Sequence, residues 1–561
     1  MTTLTAGIRA RGGAAQTAWR ALPVAARAAL GVTALMLVSV WLRSQALDAK
    51  FWIDEGLSVG IASHGLTDIP SVLRQDGSPP LYYLLLNVWM ELVGGNGEAR
   101  THALSLLFAV AAIPASFWAG RTLIDERTGW ACAAIAAVIP YLTFYAQETR
   151  MYSLAALLSI FVVTTFALAF AQRRKGAIAG FAVSGALLAY THNWGMFVLL
   201  ACGLAFVFFA VRTPAAERRE FLRDGVLGFG ALALFYLPWV PTLIDQARHT
   251  GAPWAEAPSL EEIPSGLLAL FGGDHVALLI AIVGGAGLLQ LRRAAMERPE
   301  LAPQARAVLA LLMVGVTSIL LAWISSQINP AWANRYFAVF IGPLILLIGA
   351  GFIRYRTIGL VALVAVLAVW VDDREGQVRG KSNTFRVATL LKEDRFGIER
   401  SGDNVLVRSG DLVLNAHPEH APVVRYYLDM RFGDDVKLKW WDLLGRVPDP
   451  YIFDWRDAVD RLRATGPRRA IPGVAAQLRP GQRLILMQPV ISASRWGAPW
   501  TSLVRRRALQ WRNALNETPG FRRIDVEPKF GERRPSRGVR AIVYERLDVP
   551  VRCRTRSGGP C

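Results

Sequence analysis

The sequence predicts a mainly α-helical polytopic membrane protein with a mixed α/β domain at its C-terminal end. Of its 561 residues, 53% are hydrophobic and only 19% are charged, a low share of charge for a soluble protein of this length. Apolar runs of about 20 residues recur through the first two thirds of the chain. Lys and Arg flank these runs in alternate connections, as the positive-inside rule expects of a multi-pass protein.

Eleven apolar segments are predicted to be transmembrane helices, because each approaches the length that crosses a hydrocarbon core of about 30 Å. They are residues 22–43, 101–120, 129–148, 151–171, 177–194, 195–212, 225–245, 266–290, 306–328, 336–353 and 357–371. The run from Leu81 to Met90 is apolar but short, and a twelfth span there would put basic loops on opposite sides. We therefore expect a helix at the outer interface, with its Tyr and Trp in the headgroup zone.

The basic connections also predict the orientation. If they all face the cytoplasm, the N-terminus is cytoplasmic and residues from Asp372 onward are extracytoplasmic. The chain then divides into a transmembrane domain of residues 1–371, whose first external loop is 44–100, and a soluble domain of residues 372–561. The basic N-terminus followed by an apolar run is similar to a signal peptide. That run is long and lacks a convincing cleavage site, so we expect an uncleaved first helix.

The C-terminal domain is expected to be small and mixed. Its predicted strands are 405–407, 484–487 and 541–544, and its predicted helices are 421–430 and 457–464. Positive charge is densest after Arg461, within a chain of net charge +19, which suits anionic headgroups or phosphorylated glycans. Nucleic acid is the alternative partner for a basic surface, but no nucleic-acid motif accompanies it. Cys553 and Cys561 could pair if this domain lies outside the cytoplasm.

Acidic residues in the first external loop are the strongest functional signal. Asp54 and Glu55 follow the first apolar run directly, and Asp76 stands shortly before the rigid pair Pro79-Pro80. Ionised groups at a membrane edge are costly, so they are rare and usually functional. The alternative is that Asp54 and Glu55 only cap an interfacial helix.

Further polar residues at helix ends fall on the same predicted outer side. They are Glu148, Arg150, His192, Arg335 and Tyr336. Four of them have a structural alternative: Glu148 and Arg150 could pair with each other, and Arg335 could extend to the interface. His192 is more often a hydrogen-bonded interface histidine than a catalytic one.

Three passages resemble the GT-C superfamily of membrane glycosyltransferases, in particular its protein O-mannosyltransferase-like bacterial branch. Asp54-Glu55 stands where that family has its first-loop acidic motif, and Asp76-Gly-Ser-Pro79-Pro80-Leu81 is similar to its Asp-x-x-Pro-Pro-Leu. The stretch from Tyr145 to Tyr152, with Gln147, Glu148, Arg150 and Met151, resembles a third passage common in this branch. The resemblance covers roughly residues 25–355, and the C-terminal domain carries no assignable motif.

The resemblance implies a sugar transfer outside the cytoplasm, from a polyprenyl-phosphate donor to an acceptor hydroxyl, with inversion at the sugar. The chemistry needs a base near the hydroxyl and cations for the departing phosphate, and Arg suits phosphate through its paired N–H donors. We expect Asp54 to be the base and Glu55 a second catalytic carboxylate. Arg150, Arg335 and His192 are predicted to bind the phosphate. Asp76, Glu148, Tyr145 and Tyr336 are predicted to line the acceptor pocket.

No obligatory metal is expected, although Asp54, Glu55 and Asp76 could bind Mg²⁺ or Mn²⁺ if a divalent ion is used. The expected partners are the lipid-linked donor, the bilayer, and a cell-envelope glycan, glycolipid or protein as acceptor. The expected location is a bacterial plasma membrane.

Two functions from other classes stay open at the sequence level. A transporter or flippase of lipid-linked glycans would also carry many spans and buried charges, but we would expect repeat symmetry and broken helices at mid-membrane. A non-catalytic scaffold could use the basic outer domain to bind glycan. The three carboxylates in one loop favour the enzyme.

Overall fold

The structure is a computed structural model that describes residues 23–372, 380–433, 435–490, 497–528 and 538–551. The predicted pairing of Cys553 with Cys561 lies outside these residues, as do Arg9, Arg11 and Arg20 of the basic N-terminus.

Helices make up nearly all of the first part. They are α1 (Val24–Arg43), α2 (Ile53–Ala62), α3 (Ile69–Asp76), α4 (Leu81–Leu92), α5 (Glu98–Leu123), α6 (Glu126–Val138), α7 (Pro140–Tyr145), α8 (Tyr152–Phe166), α9 (Ile178–Thr191), α10 (Gly195–Arg212), α11 (Ala215–Tyr236), α12 (Val240–His249), α13 (Glu262–Leu270), α14 (Asp274–Leu279), α15 (Gly285–Glu297), α16 (Ala302–Ile328), α17 (Ile341–Arg354) and α18 (Arg356–Asp372). A 3₁₀ helix, Asn334–Phe340, leads directly into α17.

The predicted many-span helical architecture is confirmed, with a smaller number of full-length spans than expected. Among the described residues, eight helical segments are long and apolar enough to cross a membrane. The predicted span 129–148 is divided, because Ile139 is extended and Pro140 starts a new helix. Helix α9, with 14 residues, is shorter than a hydrocarbon core at 1.5 Å per residue, and α18 has only 17.

Helix α4 corrects one expectation about the first loop. The helix forms, but Tyr82 and Tyr83 are fully buried and do not lie in a headgroup zone. Their hydroxyls face polar partners inside the protein: the Tyr82 hydroxyl lies 3.3 Å from Ser105 Oγ, and Tyr83 accepts from Arg150. A buried Tyr needs a partner for its hydroxyl, and these two have one.

The C-terminal part is a mixed sheet with helices, as predicted. Its strands are β1 (Leu412–Asn415), β2 (Lys439–Asp442), β3 (Arg483–Pro489), β4 (Phe521–Glu527) and β5 (Val539–Arg546), in the order β2-β1-β3-β5-β4. β1 is parallel to both neighbours, whereas β5 is antiparallel to β3 and β4. Its helices are α19 (Thr384–Lys392), α20 (Ala421–Phe432), α21 (Ala458–Ala464), α22 (Pro467–Ala476) and α23 (Pro499–Glu517).

The predicted strand at 405–407 is wrong. These residues form no strand, and the fully buried β1 follows after the turn at Gly410. Ladder pairing decides between the two apolar runs, since β1 bonds to strands on both sides. The predicted strands 484–487 and 541–544 are confirmed within β3 and β5.

Helix α2, which begins one residue before Asp54, rests directly on the C-terminal part. A Cβ on Gly56 would lie 2.5 Å from the Val423 Cβ, so only glycine permits this approach. Nearby, the Phe51 amide donates to the Tyr427 hydroxyl at 2.6 Å, and His64 Nε2 lies 2.8 Å from the Asp449 carboxylate. The segment of residues 44–100 is therefore held between the long helices and the C-terminal part.

Candidate active site

A cavity of about 1030 Å³ opens between loops that join the helices and the C-terminal part. Six of the nine predicted site residues line it: Asp54, Asp76, Arg150, His192, Arg335 and Tyr336. The chain brings them together from four distant segments, although they are separated by up to 282 positions. Glu55, Glu148 and Tyr145 do not line the cavity.

Hydrogen bonds to its backbone carbonyl fix Asp54, and its carboxylate faces the cavity. It is the second residue of α2, and its carbonyl accepts from Ser58 Oγ at 2.9 Å and from Arg150 Nη1 at 3.3 Å. Its Oδ2 lies 3.8 Å from Arg335 Nε. The side chain is 22% exposed, so it remains reachable from the cavity.

Arg335 enters the cavity from the 3₁₀ helix and is surrounded by aromatic rings. Its guanidinium carbon lies 4.6 Å from the ring centre of Trp254, 5.3 Å from that of Tyr336 and 5.8 Å from that of Trp52. Such contacts stabilise a cation without using its N–H donors. Within the described residues, the buried Arg335 Nε has no hydrogen-bond partner.

Arg150 supplies a second cation to the same cavity. Its Nη1 donates to Ser58 Oγ at 3.0 Å and to the Tyr83 hydroxyl at 3.4 Å. Within the described residues, its side-chain hydrogen bonds thus go to α2 and α4 and not to the Glu148 carboxylate, the partner expected from the sequence. Its Nε is buried without a partner among the described residues. The two guanidiniums together can neutralise an anionic group bound beside Asp54.

Asp76, the last residue of α3, lies in the cavity wall. Gly77 has φ +93°, a backbone conformation that glycine adopts without strain. Two amide side chains fix the end of α3 and the turn after it: Asn193 Nδ2 donates to the Gly77 carbonyl at 2.9 Å, and Gln246 Nε2 to the Leu73 carbonyl at 2.8 Å. Burial raises the pKa of Asp76 above its ordinary value.

His192 lines the cavity as a neutral ring. Its Nδ1 accepts from the backbone N–H of Trp194 at 3.1 Å, so the proton of the neutral ring is on Nε2. The ring centre lies 4.8 Å from that of Tyr336. His192 can therefore donate one hydrogen bond to a ligand but adds no charge.

Glu55 is the centre of a buried ion cluster behind the cavity. Its Oε1 accepts from Lys381 Nζ at 2.9 Å and the Thr149 amide at 2.9 Å, and it lies 2.6 Å from His102 Nε2. Oε2 accepts from the Trp52 amide at 3.2 Å. Burial alone raises the pKa of Glu55, but Lys381 and His102 more than reverse this and hold it at about 2.

Glu148 lies behind the same wall in the turn between α7 and α8. It is 3% exposed, and its Oε2 has no hydrogen-bond partner among the described residues. Burial, together with the negative charge of Glu55, raises the pKa of Glu148 to about 8. Tyr145 packs on Tyr152 with ring centres 4.8 Å apart, and Tyr152 in turn lies 6.4 Å from Tyr336.

Sequence reasoning missed every cavity residue that the C-terminal part supplies. These include Lys381, Ser382, His417, Glu419, His420 and Trp455. The Lys381 side chain is 3% exposed and joins the cavity to the Glu55 cluster. A sequence signal existed in His417-Pro-Glu419-His420, which places three ionisable side chains within four residues and directly after a buried strand.

The predicted alternative metal ligands do not form a metal site. Within the described residues, no group of three His, Cys, Asp or Glu side chains is arranged to hold a metal ion. Glu55 in particular is occupied by four protein donors. The side chains at this site therefore do not fit a divalent ion held by Asp54, Glu55 and Asp76, and no step below runs through one.

Comparison by sequence finds nothing: no family model and no curated protein matches this chain. Comparison by structure finds ArnT from Cupriavidus metallidurans, at 13% identity over 93% of this chain and 98% of that one, with a TM-score of 0.60. ArnT bound to undecaprenyl phosphate matches at 14% identity over 94% and 99% of the two chains, with a TM-score of 0.55.

Two further structures share the fold. The archaeal oligosaccharyltransferase AglB from Archaeoglobus fulgidus, solved with an inhibitory peptide and a dolichol-phosphate, matches at 12% identity over 82% of this chain and 69% of that one, with a TM-score of 0.51. The arabinofuranosyltransferase AftD from Mycobacteria matches at 15% identity over 93% of this chain but 40% of its own length, with a TM-score of 0.50. The chain is therefore a mainly helical, multi-span membrane protein with a C-terminal mixed sheet, and its fold resembles that of the GT-C membrane glycosyltransferases.

Proposed function

We propose that this protein is an integral-membrane glycosyltransferase. It moves a sugar from a polyprenyl-phosphate donor to a hydroxyl of a cell-envelope acceptor, on the extracytoplasmic side of a bacterial plasma membrane. The observation that carries the proposal is the placement of Asp54 between two guanidiniums in one cavity, 3.8 Å from Arg335 Nε and with its carbonyl bonded to Arg150. ArnT and AglB, which share the fold, have been solved with a polyprenyl phosphate bound, and this supports the donor class.

The reaction needs one base and a site for a dianion. The Asp54 carboxylate accepts the proton of the acceptor hydroxyl, whose oxygen forms a bond to the anomeric carbon. The bond from that carbon to the phosphate oxygen breaks on the opposite face, so the sugar is inverted. The leaving polyprenyl phosphate gains one negative charge, and Arg150 and Arg335 stabilise it through N–H donors.

Arg335 also couples phosphate binding to the base. A phosphate beside the guanidinium competes with Asp54 for the same cation, since both anions lie within reach of one planar group. Binding of the donor thereby weakens the Asp54–Arg335 pair and leaves the carboxylate to accept a proton. His192 Nε2 can donate to a phosphate or sugar oxygen, and Asp76, which has a raised pKa, can hold an acceptor hydroxyl.

Glu55 is assigned a positioning role rather than contact with the substrate. It is fully buried beneath the Asp54 backbone, and its four donors come from α2's own start, the α5 helix, the turn at Thr149 and the C-terminal part. Glu148 and Tyr145 also lie behind the cavity wall, and we assign them a positioning role without contact with the substrate.

A donor panel tests the function. The full chain is reconstituted in nanodiscs with synthetic polyprenyl-phosphate sugars and envelope extracts, and products are read by mass spectrometry. We expect one donor to lose its sugar while an acceptor gains the matching mass. In proteoliposomes, a donor that reaches the other leaflet without chemical change would instead support the rival assignment as a flippase. Absence of transfer from every donor would overturn the proposal.

A further inference from the structure

A second polar cluster faces the cavity from the C-terminal part. His417, Glu419 and His420 follow β1, with Pro418–His420 forming a short 3₁₀ helix. All three side chains line the cavity, yet each residue is at most 6% exposed. The proposed transfer reaction uses none of them.

Glu419 has one satisfied oxygen and one unsatisfied oxygen. Its Oε1 accepts from Trp500 Nε1 at 2.7 Å and lies 3.0 Å from His417 Nε2. Its Oε2 is buried without a hydrogen-bond partner among the described residues, and so is Nδ1 of His420. Buried polar atoms almost always have a partner, so two such atoms in one cavity wall mark positions where a ligand can bond.

The surroundings indicate the class of ligand. A carboxylate oxygen accepts from a hydroxyl, and an imidazole nitrogen can donate or accept, which suits the hydroxyls of a sugar ring. Trp455 lines the same cavity and offers an aromatic surface of the kind on which sugars pack. Arg150, Arg335 and Lys381 also line the cavity, and their charges disfavour a cationic sugar.

We propose that Glu419 and His420 form a saccharide subsite that binds the hydroxyls of a neutral sugar ring and selects the sugar that enters the cavity. This inference rests on the proposed function and names a determinant of its specificity. The sugar can be that of the donor or that of the acceptor, since both carry the same hydroxyls. Glu419 Oε2 and His420 Nδ1, both without a partner among the described residues, make the cluster a hydrogen-bonding site.

Saturation-transfer NMR on the full chain tests the subsite. The chain is placed in nanodiscs free of sugar-headed detergent, and the probes are neutral methyl glycosides of mannose, galactose and arabinose. We expect Glu419→Gln to weaken binding of the preferred glycoside about tenfold, as for loss of a hydrogen bond to a charged group. His420→Phe keeps a ring beside His417 and is expected to weaken binding less, by about threefold.

Trp500→Phe is the matched control. It removes the indole N–H that donates to Glu419 Oε1 but leaves the Glu419 carboxylate in place. If Glu419 serves only to fix Trp500, this variant will lose glycoside binding as fully as Glu419→Gln, and the subsite is overturned. Equal binding by wild type, Glu419→Gln and His420→Phe would overturn it too, as would a wild type that binds no glycoside. Thermal unfolding of each variant identifies any that fails to fold. If Glu419→Gln or His420→Phe fails to fold, the other of these two variants decides the test.

Two further measurements separate the sources of the sugar and the two proposals. If the donor sugar binds here, Glu419→Gln abolishes the wild-type preference for polyprenyl-phosphate sugar over bare polyprenyl phosphate. If the acceptor binds here, that preference is unchanged while glycoside binding still falls. Glycoside binding that depends on Glu419, without any sugar transfer by wild type, would keep the subsite and reject the transferase. Sugar transfer by wild type, with glycoside binding that does not depend on Glu419, would keep the transferase and reject the subsite.

Discussion

Arg335 Nε lies 3.8 Å from Oδ2 of Asp54, and these two residues are 281 positions apart in the chain. The pair sets a base and a phosphate-binding cation side by side. Trp254 and Tyr336 contact the guanidinium at 4.6 Å and 5.3 Å from their ring centres. Such ring contacts stabilise the cation without using its N–H donors.

Arg335→Lys is expected to weaken binding of polyprenyl phosphate by about 2 kcal/mol, roughly thirtyfold, because Lys lacks the planar fork that meets two phosphate oxygens. Binding can be measured by competition with a fluorescent polyprenyl phosphate in nanodiscs. Arg100→Lys is the control, since the one hydrogen bond that the Arg100 side chain donates within the described residues goes to the Gly94 carbonyl at the surface. An equal loss in both variants would show that the effect is not specific to Arg335, and full binding by Arg335→Lys would show that charge alone suffices.

Lys381→Met is expected to destabilise the protein by about 3–5 kcal/mol, because it leaves Glu55 buried with one partner fewer. The double variant Lys381→Met with Glu55→Gln also removes the buried carboxylate charge, and it should recover part of the lost stability. The measurement is a double-mutant cycle of thermal or denaturant unfolding in detergent. Strict additivity of the two substitutions would contradict a coupling between Lys381 and Glu55.

Gly56→Ala is expected to separate α2 from the C-terminal part, because its Cβ would lie 2.5 Å from the Val423 Cβ. Overpacking of this kind costs about 1–3 kcal/mol. Gly97→Ala is the control, since a Cβ on Gly97 meets nothing within 4 Å. Proteolysis of the C-terminal part should accelerate for Gly56→Ala only. Equal protection in the two variants would contradict the direct contact.

Glu148 predicts a pH dependence of stability. Its pKa is raised to about 8 in the folded protein, so between its ordinary value and about pH 8 the folded state binds more protons than the unfolded state. Stability from this group is therefore present at low pH and lost as the pH rises through that window. Glu148→Gln should remove this loss and unfold at a higher temperature than wild type at pH 8, but not at pH 5. A difference that is the same at both values would contradict the raised pKa.

The sequence predicted the helical architecture because apolar runs and alternating basic loops are local signals. The same signals overestimated full-length spans where Pro140 divides one run and where α9 stops after 14 residues. The strand at 405–407 was predicted from its apolar residues alone. Pairing with β2 and β3 selected 412–415 instead, and pairing is not a local property.

The site divides in a similar way. Asp54, Asp76, Arg150 and Arg335 could be chosen from the sequence because charge at a membrane edge is rare, and the structure places all four around one cavity. Adjacent residues on a helix point in different directions, so Asp54 and Glu55 lie in different environments. The sequence does not show which of the two faces the cavity. Lys381 and Glu419 were missed because nothing in the sequence shows that the C-terminal part closes over the first loop. The division of the chain at residues 371 and 372 stays a prediction.

The central claim is that Asp54 is the base of a sugar transfer, and Asp54→Asn separates this from a role in holding Arg335. The measurement is single-turnover transfer from the active polyprenyl-phosphate sugar, alongside the dissociation constant of polyprenyl phosphate. As a base, Asp54 predicts a loss of transfer of about 10²–10⁴-fold with donor binding unchanged or tighter, because Arg335 loses its competing carboxylate. Transfer within about threefold of wild type, or a loss explained by weaker donor binding alone, would contradict the account.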